Sequence, residues 1–283
     1  MTTTISNQTY RFYNQSTGYL QRLEDAGWRS EYGAVLGALK RYQVSKGGAA
    51  LDYGCGVGDL TAILARTGYQ AVGADISLPF VQSAQARYPH LPFVALDAGP
   101  MTPFASDHFW AVAAVNTIEH VATPARTLRE MYRMLMPGGL LVLTFPNLLS
   151  PLRPLKRFVA RRRRARYGPE SGDSAVQSLS LLLRNTAWLF NSRLTQQPRF
   201  RPRQPDFANA ERYRLLGYGA DYDAVWLCNP LDIAYHLRGL GMHILELRGI
   251  PGAAERSVTL NHLRRALPAS ISSPILLAAR KTY

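Results

Sequence analysis

The stretch Leu51-Asp52-Tyr53-Gly54-Cys55-Gly56-Val57-Gly58-Asp59-Leu60 constrains this chain more than any other. The apolar run over 49–53 reads as a strand, and 59–66 reads as a helix closed by Gly68. Between them glycine stands at every second position. Without β-carbons the backbone there can turn sharply and lie close to a ligand. The spacing is GxGxG, not the GxGxxG of dinucleotide folds. A strand, a tight loop and a helix in this order open a βαβ unit, which implies a parallel sheet with right-handed crossovers.

The same rhythm continues along the chain. Strands are expected over 71–75, 93–97, 109–115 and 140–145. Helices are expected from Ser77, a suitable N-cap, to about 88, and from Pro124 to Met136, ended by Pro137-Gly138-Gly139. The runs over 109–115 and 140–145 are almost wholly apolar, as strands covered on both faces must be. After residue 229 a helix over 230–240 and strands over 242–247 and 274–279 complete the pattern. Residues 10–45 carry helical spacing and many aromatics, with Tyr13 and Trp28 as candidates to stack on a ligand or simply to pack the first helices. The fold class is therefore α/β: a seven-stranded, mostly parallel sheet with helices on both faces.

Acids end three successive strands. Asp52 precedes the glycine loop, Asp75 ends the second strand and Asp97 the third. Carboxyl ends of neighbouring parallel strands converge on one crevice. Taken singly, each aspartate could be a cap or loop residue. Together with the glycine loop, they mark that crevice as a candidate ligand site.

LDYGCGVG, followed by GADIS and ALDAG, resembles the class I S-adenosylmethionine-dependent methyltransferases, over about residues 45–147 and 229–281. The nearest pattern is the ubiquinone-pathway O-methyltransferase-like group, also described as methyltransferase type 11. The resemblance implies the Rossmann-like fold with one antiparallel strand, and S-adenosyl-L-methionine as cofactor. It implies that Gly54, Gly56 and Gly58, with Cys55 filling the loop, line the methionine half. Asp52 would lie under the sulfonium and amino groups, and Asp75 would accept the ribose hydroxyls. Ile76 would pack on the adenine, with Asp97 and Ala98 at its amine, and Asn116 would line the same site. A carboxylate-rich site suits a cationic cofactor without phosphate, whereas a pyrophosphate would want cationic help.

The loop after the fourth strand reads Asn116-Thr117-Ile118-Glu119-His120-Val121. The resemblance places it beside the transferred methyl, although Asn116-Thr117 departs from the subgroup's Leu-rich, acidic turn. Methyl transfer to a hydroxyl needs alignment and removal of one proton. The ordinary pKa of a histidine suits that step, which makes His120 the candidate base, and Glu119 could orient it or help bind a divalent cation. Alternatively the pair caps the following helix. Neither the histidines nor the two cysteines, Cys55 and Cys228, have metal-ligand spacing, so a structural zinc site is not expected and no metal ligand is assigned.

The chain carries 33 Lys/Arg against 19 acids, a net +14 in 283 residues. Residues 151–228 hold fifteen of the basic residues and six of the acids, a net +9. This composition shift divides the chain into an N-terminal helical lid (1–45), a core (46–150), a basic cap insertion (151–228) and the rest of the core (229–283). The insertion suits three roles: a peripheral contact of Arg153–Arg166 with an anionic membrane, a phosphate-binding nucleic-acid surface, or a solvated lid. Nucleic-acid modules are absent and aromatics do not interleave with the arginines, which disfavours the second role. The N-terminus is polar, without an apolar signal segment, so a cytoplasmic protein, peripheral at most, is expected. The expected function is S-adenosylmethionine-dependent methyl transfer to a small-molecule or lipid-linked acceptor, at oxygen. The alternatives are an RNA or DNA methyltransferase and a cofactor-binding module without activity.

Overall fold

A computed structural model describes residues 2–27, 29–97, 101–154, 175–210, 222–250 and 268–282. Trp28, Ala98 and the greater part of Arg153–Arg166 lie outside the described residues.

Three helices come first: α1 (Thr2–Gln15), α2 (Thr17–Ala26) and α3 (Ser30–Arg41). The alternating core follows as β1 (Ala49–Tyr53), α4 (Asp59–Arg66), β2 (Gln70–Asp75), α5 (Leu78–Arg87), β3 (Phe93–Ala95) and β4 (Phe109–Val115). A 3-10 turn at Ile118–His120 leads to α6 (Pro124–Met134) and β5 (Leu135–Phe145). Next come α7 (Ala175–Thr195), α8 (Pro230–Gly239), β6 (Met242–Gly249) and β7 (Ile275–Lys281).

The seven strands form one sheet in the order β3-β2-β1-β4-β5-β7-β6. The first five pair in parallel, and β7 runs antiparallel to both β5 and β6. This is the expected sheet. Its order reverses between β1 and β4, where the carboxyl ends of the parallel strands open a crevice.

Period-two alternation explains why the central strands are apolar throughout. Leu141 and Leu143 of β5 face a layer containing Leu128 and Met131 of α6 and Ile233 and Leu237 of α8. Leu140 and Val142 face the opposite layer, with Val35 and Leu39 of α3 and Leu60 and Leu64 of α4. Each strand residue therefore buries its side chain in one layer or the other.

Two boundaries differ from the sequence expectation. Helix α6 stops at Met134, and the strand begins at Leu135, because Leu135 already pairs with Phe109 before a bulge leads to the Ala111–Leu140 pair. The Pro-Gly-Gly stretch forms that bulge, not a loop, with Gly138 at φ 79°. Strand β3 is only three residues long, so Asp97 lies two residues beyond it.

Ser77 caps α5 as expected, accepting from the Phe80 N–H, and Asn229 caps α8 by accepting from the Asp232 N–H at 2.9 Å. Thr123 occupies the N-cap of α6 and makes no side-chain cap bond. Among the described residues no helix is long and apolar enough to cross a membrane.

Candidate active site

The crevice between β1 and β4 opens into a cavity of 610 Å³. Its floor is the glycine loop. Gly54, Gly56 and Gly58 all have positive φ (76°, 53° and 85°). At Gly54 the need for glycine goes beyond φ. A β-carbon there would sit 2.3 Å from Thr117 Cγ2, so the β4 loop closes directly onto the β1 loop. At Gly58 a β-carbon would meet the Phe93 ring at 2.7 Å. The loop is held from below by the Ala74 carbonyl, which accepts from the N–H groups of Gly54 (2.7 Å) and Cys55 (3.0 Å).

Asp52 and Asp75 stand at the ends of β1 and β2 and line the cavity, 2% and 9% exposed. Asp52 Oδ2 accepts from the Thr61 hydroxyl at 2.8 Å. Asp75 accepts from the N–H groups of Gly56 and Ser77, both at 2.9 Å. Each carboxylate oxygen of Asp75 thus has one backbone donor and lone-pair capacity to spare. Among the described residues neither aspartate has an ion-pair partner, which is expensive for a buried charge. Burial pushes the Asp52 carboxyl up to about 7 and raises Asp75 as well. Two buried carboxylates without counter-ions, above a glycine cradle, fit a ligand with a positive charge and vicinal hydroxyls. S-adenosylmethionine has both.

The raised Asp52 gives a pH prediction. Its folded value lies above the ordinary value near 4. The stability contributed by the bound proton is full below about pH 4 and lost as pH rises through about 7. A cationic ligand favours the ionised form and so pulls the other way. Affinity for S-adenosylmethionine should be about tenfold weaker at pH 6 than at pH 8 and level above that. Calorimetry across this range checks it, and Asp52→Asn should flatten the profile. A wild-type affinity independent of pH would contradict the assignment.

The other expected residues divide. Ile76 and Asn116 line the cavity, Asn116 in the left-handed region at φ 50°. Asp97 also lines it but is exposed, in line with its place past the short β3. Cys55 is buried, and burial raises its thiol well above the usual range, which suits a loop-filling side chain and not a nucleophile.

Glu119 and His120 line the cavity from the 3-10 turn. His120 Nε2 is 3.6 Å from Glu119 Oε1, and Nδ1 is 3.4 Å from Asp223 Oδ2. Asp223 is fully buried, and its Oδ2 also accepts from the Tyr13 hydroxyl at 2.6 Å. Three segments meet here, with Tyr13 and Asp223 210 residues apart in the chain. Residues 223–228 are fastened to the turn, because Val225 N–H donates to the Glu119 carbonyl (3.0 Å) and Trp226 Nε1 to the Ile118 carbonyl (2.7 Å). Sequence reading missed Asp223, since no local pattern marks it. It also missed the side chains of Arg22, Arg29 and Arg153, which bring positive charge to the cavity wall.

Helix α1 is fixed across the end of β2. Ser77 Oγ donates to the Tyr13 carbonyl (2.8 Å), and Asn14 Nδ2 donates to the Ile76 carbonyl (3.1 Å). The Leu78 N–H donates back to Asn14 Oδ1 at 2.9 Å. The aromatic side chains of this helix therefore form a wall of the cavity as well as packing the helix. Among the described residues no group of three or more His, Cys, Asp or Glu side chains is arranged to hold a metal ion.

Residues 51–143 match the family described as "Methyltransferase domain". A trans-aconitate 2-methyltransferase of Methylobacterium radiotolerans is 36% identical over 131 residues, covering 45% of this chain and 48% of the relative. A demethylmenaquinone methyltransferase of Tropheryma whipplei is 33% identical over 138 residues, covering 48% and 55%. The chain thus spans about half the length of the curated relatives it matches. Among solved structures, a chain from the complex of the Haloferax volcanii Trm112 methyltransferase activator with a methyltransferase superposes with a TM-score of 0.55 at 18% identity. That match covers 97% of this chain and 98% of the other, so the sheet order and its flanking helices are shared. Over residues 51–143 the chain is therefore similar to methyltransferase domains, and its fold is that of the solved chain it superposes on.

Proposed function

We propose that this chain transfers a methyl group from S-adenosylmethionine to a hydroxyl of a small-molecule or lipid-linked acceptor, with His120 as general base. One observation carries the proposal: His120 stands on the cavity wall between two buried carboxylates, Glu119 and Asp223.

Gly54, Gly56, Gly58, Asp52, Asp75, Ile76, Asp97 and Asn116 would hold the cofactor, with Ala98 beside them in sequence. When bound, the cofactor supplies a methyl group already activated on sulfonium. The remaining chemistry falls to the chain. Asp223 faces Nδ1 and favours the tautomer protonated there, which leaves Nε2 to take the acceptor's hydroxyl proton. The Tyr13 hydroxyl fixes Asp223 and so acts at one remove. The 3.4 Å separation is long for a hydrogen bond, as such contacts commonly are before substrate closes the site. Glu119 lies beside Nε2 and stabilises the imidazolium once it forms. Residues 151–228 serve as a cap on the acceptor side: Arg153 reaches the cavity wall, and Asp223 completes the base. Arg22, Arg29 and Arg153 favour an acceptor bearing a negative group.

The relatives act on quite different acceptors, a tricarboxylate and a quinol by their names, so the acceptor is an open choice between these chemistries. Incubation with methyl-tritiated S-adenosylmethionine and a panel of hydroxy acids and quinols tests it. Label in a methyl ether is expected, and label found solely on carbon or as a methyl ester would overturn the hydroxyl assignment.

A further inference from the structure

Away from the cleft, helix α7 leaves a row of apolar side chains uncovered. Its buried side holds Trp188 together with Ser178, Asn185 and Ser192. Its open side presents Val176, Leu179, Leu183, Phe190 and Leu194, between 56% and 78% exposed. Among the described residues only Met101, at 63%, is a comparably exposed large apolar side chain elsewhere, so the apolar surface is local to this helix. At 3.6 residues per turn and 1.5 Å per residue these five side chains form a stripe about 60° wide and about 27 Å long. Arg184 and Arg193 fall on opposite flanks of it. No acidic residue occurs in the helix.

Soluble surfaces seldom carry so continuous an apolar row, and one bordered by arginines has the anatomy of a helix lying in a membrane interface. We propose that α7 docks flat on an anionic lipid surface, its five apolar side chains entering the acyl boundary and its arginines meeting the headgroups. Charge selects this occupant. Residues 151–195 carry ten Lys/Arg and two acids, a net +8. A second copy of the chain would bring the same excess against itself, whereas anionic lipid complements it. The helix is also well placed to serve the site. Asn185 Nδ2 donates to the Ser150 carbonyl at 3.3 Å, and Ser150 and Arg153 line the cavity. The membrane-bound face therefore lies behind the acceptor side of the cleft. Docking stands independently of the methyl-transfer assignment.

Co-sedimentation of the full chain with phosphatidylcholine vesicles, with and without phosphatidylglycerol, tests it. The chain should sediment with the anionic vesicles and not with the neutral ones. L183S/F190S should lower that binding by about tenfold or more, since it removes the two central apolar groups. Arg184→Glu should lower it too. Both variants alter exposed side chains, and unchanged S-adenosylhomocysteine binding would show that they remain folded. Absence of wild-type sedimentation with anionic vesicles, or wild-type sedimentation by L183S/F190S, overturns the proposal. So does a dimer in sedimentation velocity that L183S/F190S dissolves while vesicle binding is absent, since the stripe would then belong to a second copy.

Discussion

Asp75→Ala should weaken S-adenosylhomocysteine binding by about a hundredfold or more. Both oxygens of this carboxylate are buried and each already holds a backbone N–H, so its remaining lone pairs are aimed at a ligand and not at water. Two hydrogen bonds to a charged acceptor are worth about 3 kcal/mol together at the low end, which is roughly two orders of magnitude in affinity. The same substitution frees the N–H groups of Gly56 and Ser77, so part of the loss will come from a loosened loop. Asp75→Asn separates the two effects: it keeps one acceptor oxygen for the loop and should bind with intermediate affinity. Calorimetry on both variants, with melting curves as a check on folding, measures this. A wild-type affinity in Asp75→Ala would remove Asp75 from the ribose.

His120→Ala should lower kcat by about a hundredfold to ten-thousandfold, the usual range for loss of a general base. Its S-adenosylhomocysteine affinity should stay within about twofold, because the proposed role of the side chain is toward the acceptor and not the cofactor. Asp223→Asn preserves volume and removes the charge facing Nδ1. As a positioning residue it should lower kcat while leaving the cofactor KM unchanged, and Tyr13→Phe should do the same more weakly. A purely structural Asp223 would instead raise KM and lower the melting temperature together with kcat. Unchanged turnover in His120→Ala would exclude it from the mechanism.

These expectations draw on parts of the molecule that were unequally legible in the sequence. The parallel core was readable because each strand answers to local rules: apolar runs covered on both faces, glycine at the β1 turn, Ser77 at a helix cap. Asp52 and Asp75 were readable because strand ends in a parallel sheet converge by topology alone. The bulge at Leu135–Gly139 was not, since a proline and two glycines look the same at a helix stop and in a bulged strand. Its register is decided by the pairing partner Phe109, far away in the chain. Asp223 was invisible for the same reason. It comes beside His120 because Val225 and Trp226 bind the backbone of the 3-10 turn. The apolar residues of α7 were visible as a cluster, but composition could not say which faced outward. Trp188 is buried while Phe190 is exposed, two residues apart.

The central claim is that the crevice between β1 and β4 is a cofactor site built from the glycine loop and two uncompensated carboxylates. Titration of the full chain with S-adenosylhomocysteine tests it most directly. The expected result is saturable binding at one site per chain, lost in Asp75→Ala. Titration without saturable heat at any accessible concentration would contradict the account.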